Sequence, residues 1–518
     1  MVVRARRVPG VELGAVAVLL SVYALTLAPS VTLWDSGEFL SAMHSLGVPH
    51  PPGTPLYILV GNVWGKVLAP VLGFAQSVNL LSAVATATAC GLIANLVLRW
   101  TRNRAFAFAA AVTAGAMSSV WLSANETEVY SIALFVSILI LWCADRASTS
   151  GQRRWLLLGA YVTGLGWAVH LTALLSVPAA IYLVAQMRNE RLRPQLTTVV
   201  LAGLMFCVGA SAVLFMLVRA QHDPAVNQGN PSTWSAFADV LMRRQYRPVA
   251  PWPRQAPFFL QLGNIFEYAD WQVALGLAPD APPSWLRTPF TVLFGLIGVG
   301  GCLTHRAADR RSWRVMTILF VTATVGVVVY LNQKASPSFG FGILPPSAPH
   351  EARERDYFYI LAFVCWGVWV GIGAVALAGR LNPRRAWMGI AVCVLPIALN
   401  WRATNRQAEP HASEARVRGL GILRATPPRG VVLARGDNDT YPLWYLQEVE
   451  GVRRDVTVVT IPMLPATWYR EELQRRHDLL SRTESVRWVG LDSASRLIRV
   501  RAAQLGRPVT EASPLATR

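Results

Sequence analysis

Four side chains capable of acid–base chemistry follow the first long apolar run, in the stretch TLWDSGEFLSAMHSLGVPHPPGTPLYIL (32–59). They are Asp35, Glu38, His44 and His50. Asp35 and Glu38 are three residues apart, so a helix would carry both on one face. This spacing fits a capping box, with Asp35 as N-cap and Glu38 three positions later. It also fits two carboxylates facing a cleft, one of them a general base, and both interpretations can hold at once.

Three other loops contain acids or arginines. The stretches NETEVYS, RRQYRP and HEARERDYFYI contribute Glu126, Glu128, Arg243, Arg244, Arg353, Arg355 and Asp356. Each has an ordinary interpretation: solvated loop acids, an interfacial aromatic belt or a self-paired ion cluster. Together they have the composition needed for group transfer from a phosphate, in which a base takes the acceptor proton and cations stabilise the leaving phosphate. His50 is either a corner of a proline-rich loop or a member of this site.

The composition is that of a membrane protein. Of 518 residues, 53% are hydrophobic and 15% charged, with a mean hydropathy of +0.37. A soluble chain would have about 25% charged residues. The net charge of +19 comes largely from arginines in short loops, which is the orientation signal of membrane proteins and excludes nucleic acid as a partner. The six cysteines have no CxxC spacing, which argues against a zinc site or a disulfide framework.

About eleven apolar runs are predicted to cross the membrane, from Val11–Pro29 to a run ending near Asn400. The first lacks a convincing cleavage site and is predicted to remain as a span. Arg4, Arg6 and Arg7 precede it, which places the N-terminus in the cytoplasm. The apolar segment from Pro55 to Leu72 contains Lys66, and we predict a helix at the outer interface there.

With this count, the charges separate by side. The short loops that share one side contain Arg99, Arg102, Arg104, Arg146, Arg153, Arg154, Arg188, Arg191, Arg193, Arg306, Arg310, Arg311, Arg314, Arg380, Arg384 and Arg385. The acids of the candidate site lie on the other side, in predicted outer loops 31–76, 219–288 and 333–356 and at the start of the fourth run. The fold class is therefore a mainly α, polytopic membrane domain, residues 1–401.

The tail, residues 402–518, is predicted to be a small extracytoplasmic α/β domain. It alternates an apolar strand, a turn, an amphipathic helix and a second strand, which is a βα unit. Its GDNDT sequence has the D-x-D form that soluble nucleotide-sugar transferases use to hold a metal. Asp439 or Thr440 as an N-cap, followed by Pro442 in the first turn, explains the same residues without a metal.

These motifs resemble a known family. WDSGEFLSAMHSLGVPHPPGTPLY, NETEVYS, RRQYRP, RERDYFY and GDNDTYPLWYLQEVEGVRRDV are similar to the bacterial domain-of-unknown-function 2723 proteins, which are grouped with glycosyltransferase family 117. That family includes a eukaryotic transmembrane O-mannosyltransferase and is part of the GT-C superfamily. The likeness runs from about Ala15 to Tyr469. The helical repeats that follow the membrane part of the eukaryotic relatives are missing here, where a short tail stands instead.

The resemblance implies a multi-pass enzyme that uses a lipid-phosphate sugar. Asp35 and Glu38 become the catalytic candidates, and Arg353, Arg355 and Asp356 become candidates for donor-phosphate or metal contacts. His50, Glu126, Arg243 and Arg244 complete the predicted substrate-binding set. A polyprenyl phosphate in a bacterial inner membrane is the carrier the family implies, mannose is the candidate sugar, and a protein or glycan is the acceptor.

The predicted reaction is a single displacement at the anomeric carbon, with inversion. Asp35 or Glu38 takes the proton of the acceptor hydroxyl, while Arg353, Arg355 or a divalent cation neutralises the departing phosphate. The alternative is a lipid or glycan transporter or flippase without transferase activity. Ion coupling requires ionisable residues in mid-span, and these spans carry their charges at the ends. The sequence therefore favours the enzyme.

Overall fold

A computed structural model describes residues 10–186, 195–246, 249–279, 282–339, 344–345 and 347–512. The predicted cytoplasmic arginines before the first span, a second arginine cluster and the last two residues of RRQYRP lie outside this description; they are Arg4, Arg6, Arg7, Arg188, Arg191, Arg193, Arg247 and Pro248.

The bundle is built from eighteen helices in the described residues. Eleven come before the long polar segment: α1 (Gly10–Thr26), α2 (Ser36–Ser45), α3 (Pro55–Leu72), α4 (Phe74–Thr101), α5 (Arg104–Ala116), α6 (Ser118–Ala124), α7 (Val129–Ser150), α8 (Arg153–Val169), α9 (Val177–Ala185), α10 (Leu196–Ala210) and α11 (Leu214–Ala220). Seven follow: α12 (Trp234–Leu241), α13 (Phe258–Trp271), α14 (Thr288–Ala308), α15 (Arg310–Val321), α16 (Val327–Leu331), α17 (Ile360–Leu381) and α18 (Met388–Thr404).

Seven stretches of the described chain are long and apolar enough to cross a membrane. They are Pro55–Leu72, Phe74–Thr101, Val129–Ser150, Leu196–Ala220, Thr288–Ala308, Arg310–Leu331 and Asp356–Leu381. α5 and α6 form a further candidate that bends by 72° at Met117, and three shorter apolar helices add to the set. The predicted mainly α membrane fold is confirmed.

α1 and α4 form an antiparallel pair, which decides where the segment between them lies. Glu12 near the start of α1 accepts a hydrogen bond from Asn95 near the end of α4 (2.8 Å). At the opposite end, Asn79 near the start of α4 donates to the carbonyl of Ala28 (2.8 Å). Residues 27–78 therefore begin and end at the same end of the bundle. α3 begins and ends there too, as expected of an interface helix, although its length and composition would also allow a crossing.

The two ends of the bundle differ in charge. One, here called the arginine end, holds Arg99 in an ion pair with Asp145 (2.6 Å) and Arg311 hydrogen-bonded to Ser148 (2.6 Å). The other, here called the acid end, holds the loops before α2, α7 and α17. Small residues bring the helices between these ends together. A Cβ on Gly301 of α14 would come within 1.7 Å of the Trp369 carbonyl oxygen on α17, so only glycine fits there.

The C-terminal part confirms the predicted α/β unit. It contains α19 (Glu414–Ala425), β1 (Val431–Ala434), α20 (Asp437–Glu448), β2 (Thr457–Thr460), α21 (Thr467–His477), α22 (Arg482–Val486), α23 (Leu491–Gln504) and β3 (Val509–Glu511). The three strands are parallel, in the order β2-β1-β3. β1 is central and fully buried, which explains its unbroken apolar sequence VVLA.

Candidate functional site

Asp35 and Arg353 meet at the acid end, although 318 residues separate them. Arg353 Nη2 donates to Asp35 Oδ2 at 3.0 Å, and both side chains are largely buried. The guanidinium lies 5.0 Å from the ring centre of Trp34 and 5.1 Å from that of Tyr357, within the range of cation–π attraction. Burial would raise the pKa of Asp35, but Arg353 and His50 outweigh it and hold the pKa below its usual value. Asp35 is therefore ionised.

The predicted capping box does not form. Asp35 occupies the N-cap position of α2, but its side chain makes no capping hydrogen bond. Glu38 does not complete the capping box either, because its fully buried carboxylate accepts hydrogen bonds from the His50 backbone N–H (2.6 Å) and from Gln228. The capping-box interpretation was wrong because Arg353 and His50, both distant from the first turn, are stronger partners than the local N–H groups.

Glu38 and His50 form a buried pair, with Glu38 Oε2 2.5 Å from His50 Nδ1. Burial alone would lower the pKa of His50, but Glu38 and then Asp35 raise it to about 9. His50 is thus protonated at neutral pH. Both oxygens of Glu38 are engaged by these partners and by Gln228. Glu38 is suited to hold the loop in place, and Asp35 is the better placed of the two to act as a base.

Two of the predicted outer loops are joined at this point. Val48, after α2, accepts from the N–H of Gln228 (2.8 Å) and donates to the carbonyl of Val226 (2.8 Å). This short parallel bridge carries Gln228 to Glu38. His44 lies at the other end of α2, with its ring edge-on to Phe74 (5.1 Å between ring centres), and packs rather than joining the cluster.

Glu128, rather than Glu126, faces Asp35. Glu126 forms an ion pair with Arg406 at the end of α18 (3.3 Å). Glu128 precedes α7, and its buried Oε2 has no hydrogen-bond partner among the described residues. Burial, and then the charges of Asp35 and Glu126, raise the pKa of Glu128 well above its usual value. The predicted substrate-binding set includes Glu126 and omits Glu128, because alternate positions differ only in the direction of the side chain, which the sequence pattern does not show.

The two described arginines of RRQYRP, Arg243 and Arg244, have different surroundings. Arg244 forms an exposed ion pair with Asp239 (2.5 Å), which the structure places outside the cluster. Arg243 lies over Tyr246, 5.8 Å from the ring centre, and has no carboxylate partner among the described residues. Its Nε is buried without a hydrogen bond. Arg243 is therefore a cation available for an anionic ligand.

Arg355 and Asp356, just before α17, have different contacts and therefore different roles. Arg355 donates to the Tyr357 hydroxyl (2.9 Å) and lies 3.6 Å from Glu351. It lowers the pKa of Asp35, after the larger effects of burial and Arg353. Asp356 accepts from Ser119 of α6 (2.5 Å) and makes no described contact with Asp35. Asp356 is thus suited to fix the loop that carries the two arginines.

The C-terminal domain adds a carboxylate that sequence reasoning did not include. The backbone N–H of Trp34 donates a hydrogen bond to Asn438 Oδ1 (2.6 Å). This contact brings the start of α20 against the start of α2. Partial burial and the charge of Asp35 raise the pKa of Asp437 to about 6. Asp439 instead pairs with Arg418 inside the domain (2.5 Å). The two acids of D-x-D therefore have different partners, which does not fit a shared metal site.

An apolar cavity extends from this cluster into the bundle. It is lined by Tyr130, Leu134, Ser137, Thr172, Leu175, Tyr357, Phe358, Ile360 and Leu361. Tyr357 also contacts Arg353, so the cavity adjoins the charged cluster. Within the described residues, no group of three or more His, Cys, Asp and Glu converges as a metal site would require.

Comparison with known proteins agrees with this geometry. The family described as "Protein O-mannosyl-transferase TMEM260 N-terminal domain" matches residues 35–193, and "TMEM260-associated domain 2" matches residues 415–485. The chain is related to the TMEM260 proteins. Protein O-mannosyl-transferase TMEM260 of Mus musculus is 24% identical, over 89% of this chain and 64% of that protein. The Dictyostelium discoideum protein of the same name is 21% identical, over 87% and 57%.

The predicted family resemblance is confirmed, with a limit on length. The chain spans about three fifths of the TMEM260 relatives that it matches. The first matched TMEM260 segment contains Asp35, Glu38, Glu126 and Glu128. The second contains Asp437. The two segments that the family models match are thus the ones that the structure brings together.

Solved structures support the fold. ArnT from Cupriavidus metallidurans bound to undecaprenyl phosphate has a TM-score of 0.54, is 11% identical and aligns over 87% of this chain and 90% of its own. The apo form of the same protein has a TM-score of 0.53 at 12% identity, over 89% and 91%. At this identity the likeness concerns the fold alone.

Proposed function

We propose that the chain is a membrane glycosyltransferase that moves a sugar from a polyprenyl-phosphate donor to a hydroxyl acceptor. The observation that carries the proposal is the contact of Asp35 with Arg353, in a cluster that also holds Arg355. Arg243 adjoins this cluster, since it lies over Tyr246, whose pKa is raised by the charges of Glu38 and Asp35 after the larger effect of burial. A carboxylate and several cations in one buried pocket are what a displacement of phosphate requires. The TMEM260 relatives are named O-mannosyl-transferases, so mannose and a protein hydroxyl are the proposed substrates.

The proposed reaction is one inverting displacement. Asp35 takes the proton of the acceptor hydroxyl as its oxygen bonds to the anomeric carbon. The bond from that carbon to the phosphate breaks, and its electron pair leaves with the phosphate. Arg353, Arg355 and Arg243 stabilise the added negative charge. When Arg353 binds the phosphate, its ion pair with Asp35 weakens. The pKa of Asp35 then rises, and the carboxylate becomes a stronger base.

The donor lipid is supported by the boundary between apolar and charged surface at Tyr357, which contacts Arg353. A polyprenyl chain on the apolar side of that boundary would place its phosphate at Arg353. The related fold of ArnT was solved with undecaprenyl phosphate. If the acid end is extracytoplasmic, as the arginine-rich loops at the opposite end suggest, nucleotide sugars are out of reach and a lipid carrier is needed. The proposed location is the inner membrane of a bacterium.

The test of activity is a transfer assay on the purified full chain in lipid nanodiscs. The probes are polyprenyl-phosphate mannose and a serine-containing peptide. We expect mannosyl peptide and free polyprenyl phosphate in equal amounts, and a β-linked donor should give an α-linked product. A transporter or flippase would leave the donor intact. Intact donor with every acceptor tried would contradict the proposal.

The test of sidedness uses an impermeant maleimide on whole cells. Ser150→Cys lies at the arginine end and Ala425→Cys in the C-terminal domain, both exposed. We expect labelling of Ala425→Cys alone, with the unsubstituted chain as background control. Labelling of Ser150→Cys alone would place the site in the cytoplasm and remove the argument for a lipid donor.

A further inference from the structure

Asp437 lies at the carboxyl edge of the small parallel sheet. β1 ends at Ala434, and α20 begins at Asp437 after two connecting residues. In open α/β sheets, ligands bind beyond the carboxyl ends of the strands. Here that edge faces the loop that carries Asp35, because Trp34 donates to Asn438.

Close packing holds Asp437 in this position. A Cβ on Gly37 of α2 would lie 2.4 Å from the backbone oxygen of Tyr441 on α20. The two helices therefore touch through their backbones, and any larger residue at Gly37 would separate them. Together with the Trp34–Asn438 hydrogen bond (2.6 Å), this contact makes the C-terminal domain a wall of the pocket.

Asp437 and Asp35 differ in access and pairing. Asp35 is buried and bound by Arg353. Asp437 is exposed, and its carboxylate makes no hydrogen bond or ion pair within the described part of the chain. The donor phosphate would reach Arg353 from the side of the helix bundle, where Tyr357 packs, so the exposed side near Asp437 is the one open to an acceptor from water.

We propose that Asp437 binds the acceptor beside its reacting hydroxyl, and that this part of the acceptor is neutral or cationic rather than anionic. The inference rests on the proposed function, since it concerns the second substrate of the same reaction. Asp35 and Glu38 are paired with Arg353 and His50, so Asp437 is, among the described residues, the unpaired negative charge on the acceptor side. An acceptor with N–H or O–H donors would bind to Asp437, whereas a nearby carboxylate or phosphate would be repelled.

The charge of Asp437 also makes acceptor binding depend on pH. Its neighbours across the interface are Asp35, Glu38, His50 and Arg353. Partial burial and the two carboxylates favour the protonated form, while His50 and Arg353 oppose them, and the pKa is about 6. The acceptor KM should therefore fall as pH rises through about 6 and then stay constant.

The test measures KM and kcat for three serine peptides that differ only in the charge of a residue flanking the serine. In the unsubstituted chain we expect the lysine peptide to bind best and the aspartate peptide worst. Asp437→Asn should raise the KM of the lysine peptide about tenfold, as for loss of a charged hydrogen bond. It should also remove the charge preference and the pH dependence near 6, and leave the donor KM unchanged. Asp437→Glu should restore part of the preference.

Asp492→Asn is the matched control, since Asp492 is an exposed acid of the same domain, in α23. It should retain all parameters of the unsubstituted chain. An Asp437→Asn protein with unchanged acceptor KM and preference would overturn the inference and leave the proposed function standing. An unsubstituted chain that transfers no sugar to any peptide would overturn both. A change in donor KM equal to that in acceptor KM would indicate a general loss of structure and would also count against the inference.

Discussion

The acid end and the arginine end carry similar side chains but organise them differently. At the arginine end, Arg99 is paired with Asp145, and Arg146 lies over the rings of Trp142 and Trp155 (5.3 and 5.2 Å). At the acid end, Arg353 is paired with Asp35, but Glu128, Arg243 and Asp437 lack an ionic partner among the described residues. Unpaired ionisable groups cost stability, so a fold retains them where a ligand completes the pairing.

This comparison helps to distinguish charged residues that stabilise the fold from charged residues that are available for catalysis. Both ends contain buried Arg–Asp pairs, so a pair alone does not mark a site. What marks the acid end is that acids and arginines from loops distant in sequence meet there in one cluster. Substitutions at the arginine end should accordingly affect stability alone, whereas those at the acid end should affect catalysis as well.

The largest effect is expected for Asp35→Asn. Under the proposed mechanism it removes the base, and the rate of transfer should fall about 10²- to 10⁴-fold. The substitution also leaves the largely buried Arg353 without its carboxylate, so the thermal midpoint of the purified protein should fall too, and the rate is compared at a temperature at which both proteins remain folded. Transfer at the original rate by the Asp35→Asn protein would exclude Asp35 as the base.

Asp145→Asn is the matched substitution at the arginine end. Asp145 is buried and accepts from both Arg99 and Trp100. Breaking a buried ion pair leaves an uncompensated charge, at a cost of about 3 kcal/mol in the free energy of unfolding. We expect a lower thermal midpoint in nanodiscs, with kcat at permissive temperature close to that of the unsubstituted chain. The comparison between the two ends would fail if kcat fell as it does for Asp35→Asn.

The Glu38–His50 pair predicts an alkaline limit. The pKa of His50 rises from its usual 6.5 to about 9 on folding. The stabilisation it provides is therefore complete below pH 6.5 and is lost as pH rises through about 9. Transfer activity should fall reversibly as pH rises through that range. His50→Gln should remove this alkaline decline from the pH profile and should lower activity at pH 7. A pH profile of His50→Gln that keeps the same alkaline limb would assign it to another group.

The smallest effect is expected for Arg244→Gln. Its ion pair with Asp239 is exposed, and such pairs contribute about 0–1 kcal/mol. Donor KM and kcat should stay within about twofold, by that estimate. Arg243→Gln, one residue earlier, should raise the donor KM clearly more, because Arg243 adjoins the cluster. Equal effects of the two substitutions would remove Arg243 from the proposed phosphate site.

Much of the architecture follows from local pattern. Apolar runs predict the helices to within a few residues: the first predicted span, Val11–Pro29, became α1 (Gly10–Thr26), and the predicted interface helix became α3 (Pro55–Leu72). The arginine loops predict which helix ends lie together. The strand–turn–helix pattern after Gly430 predicts the α/β domain. These features depend on the chemistry of neighbouring residues, which a single sequence displays.

The partners in the site depend on tertiary structure. The three-residue spacing of Asp35 and Glu38 predicted a capping box. In the structure Asp35 pairs with Arg353 and Glu38 with His50 instead. Charged partners bind carboxylates more strongly than the backbone amides of the first turn do. The pattern could not tell Glu128 from Glu126, since the bend before α7 decides which acid turns inward.

The sequence by itself determined that the chain is a polytopic membrane protein with charge-sorted ends and an α/β tail, because hydrophobic run length and strand–helix pattern are local properties. Only the tertiary structure decided that Asp35 meets Arg353 across 318 residues and that Asp437 of the tail joins them. The reason is that Coulombic pairing depends on distance in space, and the packing of α2 against α20 through Gly37 sets that distance.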